Sequence, residues 1–405
     1  MSEWQETEFG KAPAHWEIET VGALSKIVTD GSHFSPKPRS IGKYMCSVKD
    51  MTYDRFDLSN CKLISQNDFD KLVAQGCKPE RNDILISKDG ANCLDIIFVF
   101  DQEEDMVLLS SIAIVRLLPD VNPKFVCYFL LSPACQYIMR NNFVSGSAIP
   151  RVVLKDFKKV SILLPPLPEQ KAIASVLSSL DDKIDLLHRQ NKTLEAIAET
   201  LFRQWFVESK STQPYKIEKL VDSVSIKHSF EKDKVIFLNT SDVFDGMVLH
   251  RDYSEVSGLP GQAKKSIRKN DILFSEIRPA NRRFAYIDFN ADDYVVSTKL
   301  MVLRSKGVLD TSIIFLFLKQ QENLDYLQML AEGRSGTFPQ ITFDHLKSIE
   351  MFVPKDTSFL KELQSLFRSI LLKTFSNQES CMLLEKLRDT LLPNLMSGKV
   401  KVEMD

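Results

Sequence analysis

The amino-acid sequence predicts an α+β protein: two similar mixed α/β domains separated by two long helices that form an antiparallel coiled coil, related by a pseudo-two-fold internal repeat. Three observations predict it. The chain repeats itself with a period near 190 residues, far beyond the ~20–50 residues of a solenoid unit. Each copy closes on a heptad seam of apolar residues. The composition is that of an ordinary globular protein: 405 residues, 44% hydrophobic, 26% charged, 14 Gly and 17 Pro. It excludes collagen-like and low-complexity chains.

The repeat is read from strands. Arg81-Asn82-Asp83-Ile84-Leu85-Ile86-Ser87 returns as Lys269-Asn270-Asp271-Ile272-Leu273-Phe274-Ser275, and Ile112-Ala113-Ile114-Val115-Arg116 as Leu300-Met301-Val302-Leu303-Arg304. Ser145-Gly146-Ser147 and Pro150 are echoed by Ser335-Gly336-Thr337 and Pro339, and each copy then reaches an apolar strand ending in proline, at Pro165 and Pro354. In the first head, strands are expected at 84–87, 96–100 and 111–118 and helices at 123–131 and 134–140. In the second, strands are expected at 272–275, 284–289 and 298–304 and one helix at 311–331. The expected division is 1–165 for the first head, 166–209 for the first long helix, 210–355 for the second head and 356–405 for the second long helix.

The first seam runs Ile173, Leu177, Leu180, Ile184, Leu187, Asn191, Leu194, Ala198, Leu201 and Trp205, in steps of four and three. Pro165-Pro166-Leu167-Pro168 stops the preceding strand and opens the helix. The second seam is Leu363, Phe367, Ile370, Thr374, Asn377, Cys381, Leu384, Arg388, Leu391 and Leu395, wetter in its middle. A polar residue such as Asn191 in a seam sets register or partner at some cost in stability. Two seams of matching length can bury each other; the alternative is that each helix packs only on its own head. A 36-residue helix is ~54 Å long, so antiparallel pairing is expected to hold the heads apart on a rod.

Charge and motifs narrow the function. With 52 Lys plus Arg against 54 Asp plus Glu, the chain carries a formal charge of −2, which excludes a globally basic nucleic-acid coat but not a local basic face. The second head is the more basic. Cationic and amide side chains cluster in loops beside strands: Lys37, Arg39, Lys49, Lys88, Asn92 and Arg151 in the first head, and Lys264, Lys265, Arg278, Asn281, Arg282, Arg283 and Arg334 in the second. Arg, Lys and Asn at such places suit phosphates and base edges, and the clusters after 84–87 and 272–275 fall at matching positions of the repeat. Any one such cluster on its own is more often a solvated surface.

No catalytic signature is present. The chain lacks a phosphate-binding Gly-rich loop and a Gly-x-Gly-x-x-Gly turn. Pro165-Pro166 follows Leu164 rather than the Asn or Asp of an amino-methyltransferase motif. The six His and seven Cys show no metal-ligand spacing. The acidic triplet Asp181-Asp182-Lys183 lies on the first long helix, where charges normally coat the solvent face. No apolar run reaches the ~18 residues of a membrane span, and the polar start Met1-Ser2-Glu3-Trp4 is not a secretory signal. The expected location is the cytoplasm, with reduced thiols.

Leu163-Leu164-Pro165-Pro166-Leu167-Pro168-Glu169-Gln170-Lys171-Ala172-Ile173, the helix end Leu201-Phe202-Arg203-Gln204-Trp205-Phe206, the C-terminal Leu391-Leu392-Pro393-Asn394-Leu395-Met396-Ser397-Gly398-Lys399 and the entry Gly10-Lys11-Ala12-Pro13-Ala14-His15-Trp16 together resemble the DNA-specificity subunits of type I restriction-modification systems. The second junction, Val353-Pro354-Lys355-Asp356, departs from that pattern. The resemblance implies that each head is a target-recognition domain reading half of a bipartite double-stranded DNA site. It implies that the helices set the spacer and dock two methyltransferase subunits, which the restriction-translocase subunits join. S-adenosylmethionine, ATP and Mg2+ would belong to those partners and none to this chain, which would be non-catalytic. The competing reading is a two-headed protein-interaction scaffold that binds no DNA.

Overall fold

The computed structural model describes residues 3–146, 148–333 and 339–403. It divides into two compact units: residues 1–185 with 382–405, and residues 186–381. Each unit therefore takes one head together with a piece of both long helices, the first Leu167–Phe202 and the second Thr357–Met396.

The two units share one topology. In the first, the strands Ser25–Asp30, Ile112–Leu117, Ile84–Ser87 and Ile97–Val99 lie side by side in that order, all antiparallel. In the second, Val221–Val224, Leu300–Ser305, Ile272–Ser275 and Phe284–Tyr286 repeat the order and the sense. Both faces of the two central strands are covered, which is why those strands read as largely apolar runs rather than alternating ones. Ile84 and Ile86 face one core with Ala113 and Val115, while Leu85 faces the other with Ile112 and Ile114. Ile272 and Phe274 separate from Leu273 in the same way.

The repeated Asn-Asp that precedes the strand has a structural reason. Asn82 and Asn270 hold positive φ, 72° and 69°, a conformation that Asn tolerates better than most residues. The turn buries the next carboxylate, which needs a partner. Arg116 donates to both oxygens of Asp83 at 2.8 Å, and Arg304 to both oxygens of Asp271 at 2.8 and 2.7 Å. The same carboxylates accept the backbone N–H of Glu80 and Arg268.

A second sheet in each unit went unread in the sequence. Lys62–Ile64, Lys43–Cys46 and Met106–Leu108 form it in the first, with the latter two parallel. Ser254–Glu255, Lys234–Leu238, Tyr294–Ser297 and Ala263–Ser266 form it in the second, with Lys234–Leu238 parallel to Tyr294–Ser297. These strands are two to five residues long, too short for periodicity to mark. Four expected strands are shorter than read: Ile97–Val99, Ile112–Leu117, Phe284–Tyr286 and Leu300–Ser305. The single helix expected over 311–331 is two, Thr311–Leu318 and Gln321–Glu332. The first is capped by Asp310 and buried along its whole length; the chain turns at Lys319 and Gln320 before the amphipathic second begins.

The pieces of long helix pack within each unit. In the second unit Asn191 donates to the Thr374 carbonyl at 3.1 Å, and Asn377 donates to the Asn191 side-chain oxygen at 2.8 Å. Phe202 meets Phe367, and Trp205 meets Phe359 with ring centroids 4.2 Å apart. Rising numbers on one helix meet falling numbers on the other, so these segments run antiparallel. Ile184, Leu187, Asn191 and Ala198 are buried, as are Leu363, Phe367, Ile370, Thr374, Asn377 and Cys381, while Leu194 is half-buried. The end of the first seam needs a correction. Phe202 and Phe206 are buried, whereas Leu201 and Trp205 are only partly covered. Steps of four accumulate after Asn191 because 3.6 residues per turn drifts from a 3.5 repeat, and Arg203–Val207 widens into a π turn. In the first unit Ile173, Leu177 and Leu395 are buried in the core, Leu391 packs at its edge, and Leu180 and Leu384 are half-buried.

Candidate nucleic-acid interface

In the first unit the repeated strand delivers the chain to a junction of three loops. Lys88, directly after Ser87, has its side chain 9% exposed, with Nζ 3.3 Å from both Asp30 Oδ2 and Asp89 Oδ2. Its carbonyl accepts the N–H of Val152, and Gly90 N–H reaches the Pro150 carbonyl. The loops after Asp30, after Ser87 and around Arg151 are thereby drawn together. Lys37, Arg39, Asn92 and Arg151 stand exposed on them, and Lys49 is exposed on the turn Val48–Asp50; none has a side-chain hydrogen bond or ion pair among the described residues.

The second unit repeats the junction. Glu276 occupies the place of Lys88, and its carbonyl accepts the N–H of Ile341. The bridge between Ile277 and Gln340 matches that between Asp89 and Arg151. The turn Pro279–Asn281 is framed by two left-handed residues, Arg278 and Arg282. Lys264, Arg278 and Asn281 are exposed, without a side-chain partner among the described residues. Arg334 lies outside the described residues, as do Ser147 and Ser335-Gly336-Thr337 of the repeat.

Four of the cations marked from the sequence are engaged by partners within the protein. Lys88 is one. Lys265 donates to the carbonyls of Thr298 and Leu300 at 3.0 and 2.9 Å, and burial lowers its pKa. Arg282 donates to Asp245 at 2.6 Å and to Gln321. Arg283 donates to the carbonyls of Ser241 and Val243 and covers the Phe244 ring. These side chains shape the loops, whereas the exposed ones carry no side-chain partner among the described residues. Local sequence does not separate the two groups, because, Asp89 beside Lys88 apart, the partners lie 33 to 58 residues away.

One functional-looking cluster escaped the sequence. Asp181, expected on a solvent face, accepts Tyr53 Oη–H at 2.7 Å, Tyr128 Oη–H at 2.6 Å and Arg388 at 2.9 Å. Arg388 also donates to the Tyr53 oxygen and stands over its ring. Burial first, then the Asp181 charge, pushes the Tyr128 pKa upward. This first-unit network fastens the head loop carrying Tyr53, and the helix Pro123–Leu131, to both long helices. At the matching turn of the second unit stand Leu371 and Ala198, both apolar and buried. Among the described residues no three His, Cys, Asp or Glu side chains are grouped to hold a metal ion, and no helix is long and apolar enough to cross a membrane.

Comparison with known proteins agrees with the duplication. The family model of the type I restriction modification DNA specificity domain matches twice, over residues 54–196 and 227–379. The chain is 44% identical over 142 residues to the type I restriction enzyme HindI specificity subunit of Haemophilus influenzae; this match takes in 35% of the chain and 31% of that protein, about a third of each. It is 23% identical to the type I restriction enzyme MjaIX specificity subunit of Methanocaldococcus jannaschii over 99% of this chain and 97% of the relative. The solved S subunit of a type I restriction-modification system from M. genitalium has the same fold, with a TM-score of 0.64 at 15% identity over 94% of this chain and 96% of that one.

Proposed function

The chain belongs to the type I restriction modification DNA specificity family, and from that premise we propose that its two units each read one half of a bipartite double-stranded DNA target. One observation carries the reading: the same strand-to-loop junction is built twice, and each copy presents exposed, unpaired cations and an amide. These are Lys37, Arg39, Asn92 and Arg151 in one unit, joined by Lys49 on the turn Val48–Asp50, and Arg278 and Asn281 in the other, joined by Lys264 on the strand Ala263–Ser266. Lys and Arg neutralise phosphates, while Arg and Asn also pair with guanine and adenine edges. The loops differ in sequence, so the half-sites differ.

In this reading the long helices set the spacing between half-sites and dock two methyltransferase subunits, and restriction-translocase subunits join that core in the cytoplasm. The chain itself is non-catalytic. S-adenosylmethionine, ATP and Mg2+ are bound by the partners. A near-neutral net charge is compatible with DNA binding because those partners supply part of the phosphate neutralisation.

Methylome sequencing tests this. A methylation-free host expressing the methyltransferase partner, with and without this chain, is expected to gain a split adenine-methylated motif only with the chain. A stable complex that methylates no split motif rejects the reading, and no complex at all favours the scaffold.

A further inference from the structure

The segment from Gly31 to Lys49 is unusual in chemistry and in build. It contains no carboxylate, four Lys or Arg residues and one His. Within it, two large apolar side chains point into solvent: Phe34 is 66% exposed and Ile41 88%. Between them stand the unpaired, exposed Lys37 and Arg39.

The loop is not free chain. Ser32 N–H bonds the Leu108 carbonyl at 2.7 Å, and Ser32 Oγ both donates to the Phe34 carbonyl and accepts the Phe34 N–H. Lys62 donates to Ser35 Oγ at 2.6 Å, Arg39 N–H bonds the Leu63 carbonyl at 2.9 Å, and Pro36 is buried. Gly31 and Gly42 close the loop where a Cβ would strike the backbone of Leu108 and of Ile64. These three hydrogen bonds to the rest of the unit, two more within the loop and the buried Pro36 thus hold two apolar tips and two cations outward. A tethered loop could have turned the apolar groups inward; their exposure points to a surface that covers them.

We infer that Phe34 and Ile41 form an apolar wedge that enters the minor groove of the half-site read by the first unit and unstacks a base step, with Lys37 and Arg39 on the flanking phosphates. Wedges of Phe or Ile beside Arg and Lys are the means by which minor-groove binders kink a duplex. The charge of the loop excludes a basic partner surface, and two exposed cations set between two apolar tips offer groups for both the phosphates and the base steps of a duplex. The corresponding stretch of the second unit is different: Phe230 is less exposed, packs edge-on to His228, and is followed by Glu231 and Asp233. The wedge therefore marks one half-site only.

This inference rests on the proposed DNA function, and the test keeps the two apart. The complex with its methyltransferase partner is mixed with duplexes carrying the methylome-derived motif and 2-aminopurine at successive positions. Binding is followed by anisotropy and unstacking by 2-aminopurine fluorescence. The wild-type complex is expected to raise the fluorescence severalfold at one step in one half-site. Phe34→Ala/Ile41→Ser is expected to bind the motif at higher concentration and to lose that rise at saturation, and Ile41→Leu to retain it. Lys37→Ala/Arg39→Ala is expected to lower the salt dependence of binding by about two, one per lost phosphate contact, and to retain the rise. A rise that persists in Phe34→Ala/Ile41→Ser, or tight motif binding by the wild type with no rise at any position, overturns the wedge and leaves the DNA function standing. Loss of methyltransferase assembly in that variant overturns it in favour of a protein contact. Absence of motif binding by the wild-type complex removes both readings.

Discussion

Asp83 and Asp271 sit in the core at no more than 1% exposure, and each survives there because a guanidinium meets both of its oxygens. Removing the cation strands a buried charge, so Arg116→Ala and Arg304→Ala are each expected to cost about 3–5 kcal/mol of stability, measurable by urea unfolding. Lysine cannot replace the two-pronged contact, so Arg→Lys at either position should recover only part of the loss. A similar argument separates the loop cations. Lys88→Ala frees Asp30 and Asp89 in a poorly solvated junction and should lower stability. Arg151→Ala and Asn92→Ala should leave stability unchanged and cost about 1–3 kcal/mol per lost base contact in one half-site. Arg278→Ala should act on the other half alone, and equal damage to both halves from any one of these would reject the assignment. The residue types of these loops were legible in the sequence; their exposure was not. Lys88 and Arg151 look alike as letters, and only the long-range approach of Asp30 tells that one is buried in an ion pair.

Among elements, the long helices were the most legible, because burial every three or four residues leaves a mark that a short strand cannot. What pattern missed was the phase drift that exchanges Leu201 and Trp205 for Phe202 and Phe206, and the polar residues placed to meet across the seam. Asn191 and Asn377 are buried and bonded to each other, with Asn191 also reaching the Thr374 backbone. Such a pair is poor for stability and good for register. Asn191→Leu/Asn377→Leu is expected to raise the melting temperature while broadening the set of spacers methylated, as sliding registers become accessible. A narrower or unchanged spacer set would show that register is fixed elsewhere. The Asp181 network offers the counterpart in the first unit. Asp181→Asn keeps the size but leaves two phenols and Arg388 without their common acceptor. It should destabilise this unit, with the loss seen as faster amide exchange in the helix Pro123–Leu131 and no matching change in the second unit. Asp181 was read from sequence as a surface charge because its three partners lie 53, 128 and 207 residues away.

At the scale of the whole molecule, duplication was the feature most easily read, since two copies of a buried strand with its Asn-Asp turn resist divergence for the same packing reason. The proposed ruler belongs to this scale. A change of helix length transmits cleanly only if the seam keeps its phase. An insertion of four residues in one helix would turn its apolar face away from the partner, whereas a heptad added to both helices preserves it. Seven residues inserted after Asn191, together with seven inserted after Thr374, should lengthen the paired segment by about 10.5 Å. At ~3.4 Å per base pair that is about three base pairs. Three base pairs also rotate the duplex by roughly 100° at ~10.5 base pairs per turn. The longer protein must therefore twist the DNA to reach both half-sites, and its methylation should slow even on the lengthened target. The expected methylome is one in which both half-sites are unchanged, the gap between them has grown by about three, and fewer sites are fully modified. Retention of the original gap, with both half-sites still read, would mean that the helices do not measure the spacer.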